Sequence, residues 1–231
     1  MNIIPAIDII DGKCVQLVGG RLGTEKFYGS PIEAAKKWIS QGAELLHVID
    51  LDATLGKGDN LKTVLELKKS VDVPIQFGGG IRTVKKAKEI LETGIDRIII
   101  GTMAVEDYMK GSSNLEEIAK STGWDRVIAA IDSKKGFIVC KGWQQETEIK
   151  TVKIVKELED KVWGFLYTNV DVEGQMKGVD MKSIKDVVKS TKKPVIISGG
   201  ISSQKDIKEI EKTRAWGVVL GKALYEGKIR L

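Results

Sequence analysis

Two aspartates, Asp8 and Asp132, each follow the same dipeptide, Ala-Ile, at the end of a short apolar run. Period-2 alternation puts Ile4, Ala6 and Asp8 on one face of an extended segment, and Ile128, Ala130 and Asp132 on one face of another. The alanine two residues before each aspartate leaves room beneath it. Two carboxylates facing each other can divide acid–base work, one donating a proton at one end of a substrate while the other removes a proton at the other end. A strand-end aspartate standing alone serves equally well to cap the next turn, so the repeated placement is what favours chemistry. The chain has one histidine, His47, which excludes a histidine acid–base pair and a three-histidine metal site.

Two glycine clusters, Gly78-Gly79-Gly80-Ile81-Arg82 and Ser198-Gly199-Gly200-Ile201-Ser202, each precede a helical pattern. Glycine lets backbone N–H groups approach phosphate oxygens, and the following helix N-terminus favours an anion. Each cluster is followed by a second candidate on the next strand, Gly101-Thr102 and Gly221-Lys222. Paired in this way, the clusters imply two phosphate sites and a substrate with a phosphate at each end.

Such residues need a frame. Eight β-rich runs, Ile3–Ile7, Leu45–Ile49, Pro74–Phe77, Arg97–Ile100, Val127–Ile131, Phe165–Tyr167, Pro194–Ile197 and Gly217–Leu220, alternate with amphipathic segments. The near-continuous apolar character of the runs suits parallel strands covered by helices. Ile32, Ala35, Trp38 and Ile39 recur at helical spacing, as do Val84, Ala87, Ile90 and Leu91, with Gly42 and Gly94 where those helices should end. Eight alternations predict a closed α/β barrel, the (β/α)8 or TIM barrel, over a doubly wound open sheet. Ala6-Ile7-Asp8 recurs as Ala130-Ile131-Asp132, Gly79-Gly80-Ile81 as Gly199-Gly200-Ile201, and Ile99-Ile100-Gly101 as Val219-Leu220-Gly221. A common spacing of about 120 residues predicts two half-barrel repeats, residues 1–122 and 123–231, within one domain. In that fold the active site lies at the C-terminal ends of the strands, where both aspartates stand.

The 231 residues suit one barrel domain, and 42% hydrophobic residues allow a large core. No apolar run reaches the length of a membrane span and the N-terminus lacks the features of a signal peptide, so a cytoplasmic protein is expected. Cys14 and Cys140 lie far apart in no metal-binding spacing and read as free thiols. The net charge of +5 comes mostly from lysines spread along helices, with no basic run to suggest nucleic acid.

Ile4-Pro5-Ala6-Ile7-Asp8 with Asp11-Gly12-Lys13, Leu46-His47-Val48-Ile49-Asp50-Leu51-Asp52, the two glycine clusters and Leu224-Tyr225-Glu226-Gly227-Lys228 together resemble one family over essentially the whole chain. It is the phosphoribosylformimino-5-aminoimidazole carboxamide ribotide isomerase family of histidine biosynthesis. The resemblance implies a cofactor-free, metal-free Amadori rearrangement on a small substrate with two phosphates. It implies Asp8 as proton acceptor, Asp132 as proton donor and Thr168 as support for the reacting sugar. It also implies a tryptophan, Trp143, stacked on a flat heterocycle. Substrate binding is expected from Gly79, Gly80, Arg82, Gly101, Thr102, Gly199, Gly200, Gly221, Lys222 and Asp50, the last taken as the strand-two match of Thr168. His47, on the opposite face from Asp50, is then expected to pack against a helix. A monomer is expected, with no membrane or nucleic-acid partner.

Three departures from the family pattern stand out. Val172-Glu173-Gly174-Gln175 replaces the usual Arg-Asp-Gly-Thr after strand six, Gln16 replaces a frequent arginine, and the end at Leu231 predicts a truncated last helix. Pro5-Ala6-Ile7-Asp8 and Lys141-Gly142-Trp143 favour the isomerase over the sister imidazole glycerol phosphate synthase cyclase. A bifunctional isomerase that also accepts phosphoribosylanthranilate uses the same chemistry and stays open. A non-catalytic phosphate-binding barrel would have no use for both aspartates.

Overall fold

The computed structural model describes residues 1–176 and 178–231. Eight parallel strands form a closed barrel: β1 (Asn2–Ile10), β2 (Leu46–Asp50), β3 (Ile75–Gly78), β4 (Arg97–Ile100), β5 (Val127–Lys134), β6 (Gly164–Asn169), β7 (Val195–Ser198) and β8 (Gly217–Leu220). Each pairs with its sequence neighbours, and β8 returns to β1 with Ile4 opposite Val219. The expected TIM barrel is therefore present, with all eight strands where their apolar runs lie.

Alternation divides the strand side chains between two cores. Ile4, Ala6, Leu45, Ile99, Ile128, Leu166, Ile196 and Val219 fill the barrel interior. Ile7, Ile9, Val48, Phe77, Ile98, Ile100 and Ile197 point outward under the helices. Burial on both faces is why these strands read as continuous apolar runs, and each fully buried aliphatic side chain contributes about 1.5–3 kcal/mol.

The helices follow the local rules of their sequence. Pro31–Ser40 starts with Pro31 in its first turn and Ser30 accepting hydrogen bonds from the Ile32 and Glu33 amides. Gln204–Glu211 carries a capping box between Ser203 and Asp206. Among the described residues, one helical turn, Lys222–Tyr225, follows β8. Tyr225 covers the barrel wall there: its hydroxyl donates to the Ala6 carbonyl at 3.0 Å, and its ring packs on Tyr28 at 4.4 Å. Ile229 is buried beyond it.

Four strands went unread in the sequence. Lys13–Val18 folds back antiparallel on β1 and is extended by Arg21–Phe27; Phe137–Cys140 folds back on β5 and is extended by Gln145–Lys150. Arg21–Phe27 is largely exposed on both faces and Gln145–Lys150 is half-buried on one face only, so neither has the apolar signature of a core strand. The hairpins that follow β1 and β5 share an anchor. The Asp11 amide donates to the Asp52 carboxylate at 2.8 Å, and the Lys135 amide donates to the Asp171 carboxylate at 2.7 Å. Among the described residues, no helix is long and apolar enough to cross a membrane.

Candidate active site

The C-terminal ends of the strands enclose one large cleft. Asp8, Gly79, Gly80, Arg82, Gly101, Thr102, Asp132, Trp143, Thr168, Gly199, Gly200, Gly221 and Lys222 all line it. Asp8 and Asp132 end the inward-facing rows of β1 and β5, on opposite sides of an eight-stranded barrel, and no hydrogen bond between described residues joins them.

Both carboxyls titrate high. Burial pushes Asp8 up to about 7, against a smaller lowering from the Gln16 amide, which donates to Oδ2 at 3.1 Å. Burial likewise raises Asp132, opposed by hydrogen bonds from Trp143 and Thr168. Thr168 is the cross-strand partner of Asp132 on β6, which fixes their proximity. A carboxyl raised to about 7, as Asp8 is, can exchange protons near neutrality, and the upward shift of Asp132 favours the protonated form that a general acid needs.

The glycine turns repeat in both halves. Gly101 opens the helix Thr102–Lys110 with φ −100° and ψ −89°, and Gly221 opens Lys222–Tyr225 with φ −103° and ψ −103°. Neither helix start has a side-chain cap, so its first amides are open to an anion. Gly79 and Gly199 must be glycine: a Cβ at Gly79 would lie 2.4 Å from the Asp50 carbonyl, and one at Gly199 would lie 2.7 Å from the Asn169 carbonyl. Arg82 donates to the Ala53 and Thr54 carbonyls, Thr102 Oγ1 accepts the Lys141 amide at 3.0 Å, and Lys222 Nζ reaches the Gly174 carbonyl at 3.3 Å. Trp143, half-buried, closes against the tip of the first hairpin at Gly20.

Two expectations need correction. Asp50 does not line this cleft. It caps the helix Leu51–Leu55 through the Ala53 amide, and its two oxygens also take the Asn60 amide at 2.6 Å and the Asn60 side chain at 2.8 Å. Asn60 in turn accepts the Gly12 amide, so Asp50 braces the base of the first hairpin. Strand register also changes its counterpart: Asp8 pairs with Ile49 and Asp132 with Thr168, so Thr168 matches Ile49, and Asp50 matches Asn169. His47 is the second correction. It does lie on the face opposite Asp50, but that face is the barrel interior, where it lines the cleft floor. Its Nδ1 lies 2.8 Å from the Gln76 amide nitrogen, and burial lowers its pKa to about 3, so the ring is neutral.

The further lining residues include Gln16, Lys141 and Glu173. Glu173 is a third carboxyl, pushed up to about 7 by burial and then by the charges of Asp8 and Asp132. It occupies the aspartate position of the altered loop after strand six, a carboxyl kept where the loop's arginine is replaced by Val172. Among the described residues, no group of three or more His, Cys, Asp or Glu is placed to hold a metal ion.

Opposed carboxyls between two open, glycine-bounded helix starts make this a TIM barrel suited to proton transfer on an anionic substrate. The histidine biosynthesis protein family matches residues 2–230, and the chain belongs to that family. A 1-(5-phosphoribosyl)-5-((5-phosphoribosylamino)methylideneamino) imidazole-4-carboxamide isomerase of Methanocaldococcus jannaschii is 42% identical over 232 residues, covering 100% of this chain and 96% of the relative. Isomerases of the same name from Methanosphaera stadtmanae and Thermodesulfovibrio yellowstonii are 43% and 40% identical, covering all of this chain and 97% and 94% of their own.

Proposed function

We propose that this chain is the isomerase its relatives are named for, converting the aminoaldose 1-(5-phosphoribosyl)-5-((5-phosphoribosylamino)methylideneamino) imidazole-4-carboxamide to its aminoketose. The observation that carries the proposal is the pair Asp8 and Asp132, facing each other with raised pKa between two glycine-bounded helix starts. Each phosphate of the substrate takes one helix start, Gly80 with Thr102 and Gly200 with Lys222, which stretches the ribosylamine between the carboxyls.

Protonated Asp132 gives its proton to the ribose ring oxygen, and the ring opens to a Schiff base. Ionised Asp8 then removes the C2′ proton, leaving an enolamine that tautomerises to the ketone. The sequence is an internal redox isomerisation and consumes no co-reactant. Thr168 holds the Asp132 side of the sugar, and Trp143 offers its face to the imidazole. The proposal extends to a monomer working in the cytoplasm on a small molecule.

Steady-state turnover of this bisphosphate and of phosphoribosylanthranilate, side by side and without ammonia, tests the proposal. We expect turnover of the bisphosphate. No turnover of the bisphosphate without ammonia would reject the proposal, and turnover of phosphoribosylanthranilate alone would reject the bisphosphate as substrate.

A further inference from the structure

We propose that Gln16 is a positioning residue that locks the Asp8 carboxylate against the anion-binding turn at Gly221 and so sets the pH range in which Asp8 works. This rests on the role given to Asp8 above. Gln16 sits on the first hairpin, beside the Asp8–Val15 pair, and is 7% exposed. Its Nε2 donates to Asp8 Oδ2 at 3.1 Å and to the Val15 carbonyl at 3.0 Å. Both partners are acceptors, so the amide orientation is dictated by chemistry and both N–H groups are used.

Oε1 must then face the other way, toward Gly221. The space a Cβ would occupy at Gly221 lies 2.2 Å from it. One buried neutral side chain thus fills the gap between the base and the turn that opens the last helix. Among the described residues, it supplies the only side-chain hydrogen bond to the Asp8 carboxylate.

The other groups around Asp8 cannot do this work. Cys14 and Tyr225, packed behind it, are both pushed up by burial and stay neutral near pH 7. His47 on the floor is neutral as well. Glu173 is a further carboxyl in the same cleft, Asp132 stands on the opposite side of the barrel, and Lys222, beside Gly221 on the neighbouring strand end, is turned to the Gly174 carbonyl; among the described residues none of the three hydrogen-bonds Asp8. Removing the amide therefore leaves the desolvation of Asp8 unopposed, which favours the protonated acid.

Gln16→Met keeps length and removes the donor; Gln16→Glu keeps shape and adds a carboxylate. Two readouts apply to the purified full chain: the pH dependence of kcat/KM for the bisphosphate, and the 13C NMR titration of the Asp8 carboxyl without substrate. We expect both midpoints for Asp8 to rise by about one pH unit, lowering kcat/KM at pH 7 about fivefold through the acid limb of the profile. Unchanged midpoints in Gln16→Met, even with lower stability, would mark Gln16 as merely structural and overturn the proposal. If Gln16→Glu fails to fold, Gln16→Met decides alone. An inactive wild type would remove the functional assignment, and the NMR midpoints would still decide whether Gln16 tunes Asp8.

Discussion

Replacing the base should make the protein more stable, by an amount that depends on pH. Burial raises the Asp8 carboxyl from 3.8 to about 7, and at about 1.4 kcal/mol per unit its ionised form costs the folded state on the order of 4 kcal/mol. Asp8 is partly open to the cleft, and screening there reduces the cost, so Asp8→Asn should gain about 1–3 kcal/mol at pH 8. Asparagine keeps the oxygen that accepts from Gln16, so no hydrogen bond is lost. Between pH 4 and pH 7 the folded carboxyl holds its proton while the unfolded one does not. The wild-type penalty is therefore absent at the acid end, grows through that window and is complete above about pH 7. Thermal unfolding should show Asp8→Asn melting about 2–8 °C above wild type at pH 8, with less than half that gain at pH 5. A variant no more stable than wild type at pH 8, or a gain that does not shrink toward pH 5, would refute the burial argument.

Glu173→Gln should behave in the same way, since its carboxyl is also raised to about 7 by burial; differential scanning calorimetry at the same two pH values checks it. Asp8→Asn and Asp132→Asn should each lower kcat at least about a hundredfold with little change in KM, because phosphate contacts dominate binding. Steady-state kinetics with near wild-type turnover in either variant would rule out its role. Crystals soaked in phosphate should show two anions, one at Gly80 and Thr102 and one at Gly200 and Lys222; a single anion would point to a monophosphate substrate. Gly20→Val should displace Trp143, because a Cβ there would lie 2.3 Å from the indole ring. Tryptophan fluorescence should shift and KM should rise; an unchanged spectrum with unchanged KM would show that the two loops do not need this contact.

The sequence disclosed most where a residue's place in the fold is set by strand periodicity. Asp8 and Asp132 close inward-facing rows, and the glycine turns stand at strand ends, so both could be placed at the cleft from residue types alone. Asp50 and His47 show where alternation stops short. It separates two faces correctly but does not say which face is the interior, and the carboxylate was given to the cleft. Only the Asn60 contacts, formed by a residue ten positions on, reveal Asp50 as a brace. The hairpins were missed because their outer strands bury little, and Glu173 reaches the site from an irregular loop with no period to read.

The most direct test is to follow the bisphosphate aminoaldose, labelled with 13C at C2′, by NMR in the presence of the purified protein alone. The C2′ signal should move from the sugar-alcohol region to the ketone region without ammonia, metal or cofactor. No such movement is expected with Asp8→Asn/Asp132→Asn. An unchanged signal with the wild type, or the same conversion by the double variant, would overturn the two-carboxyl mechanism.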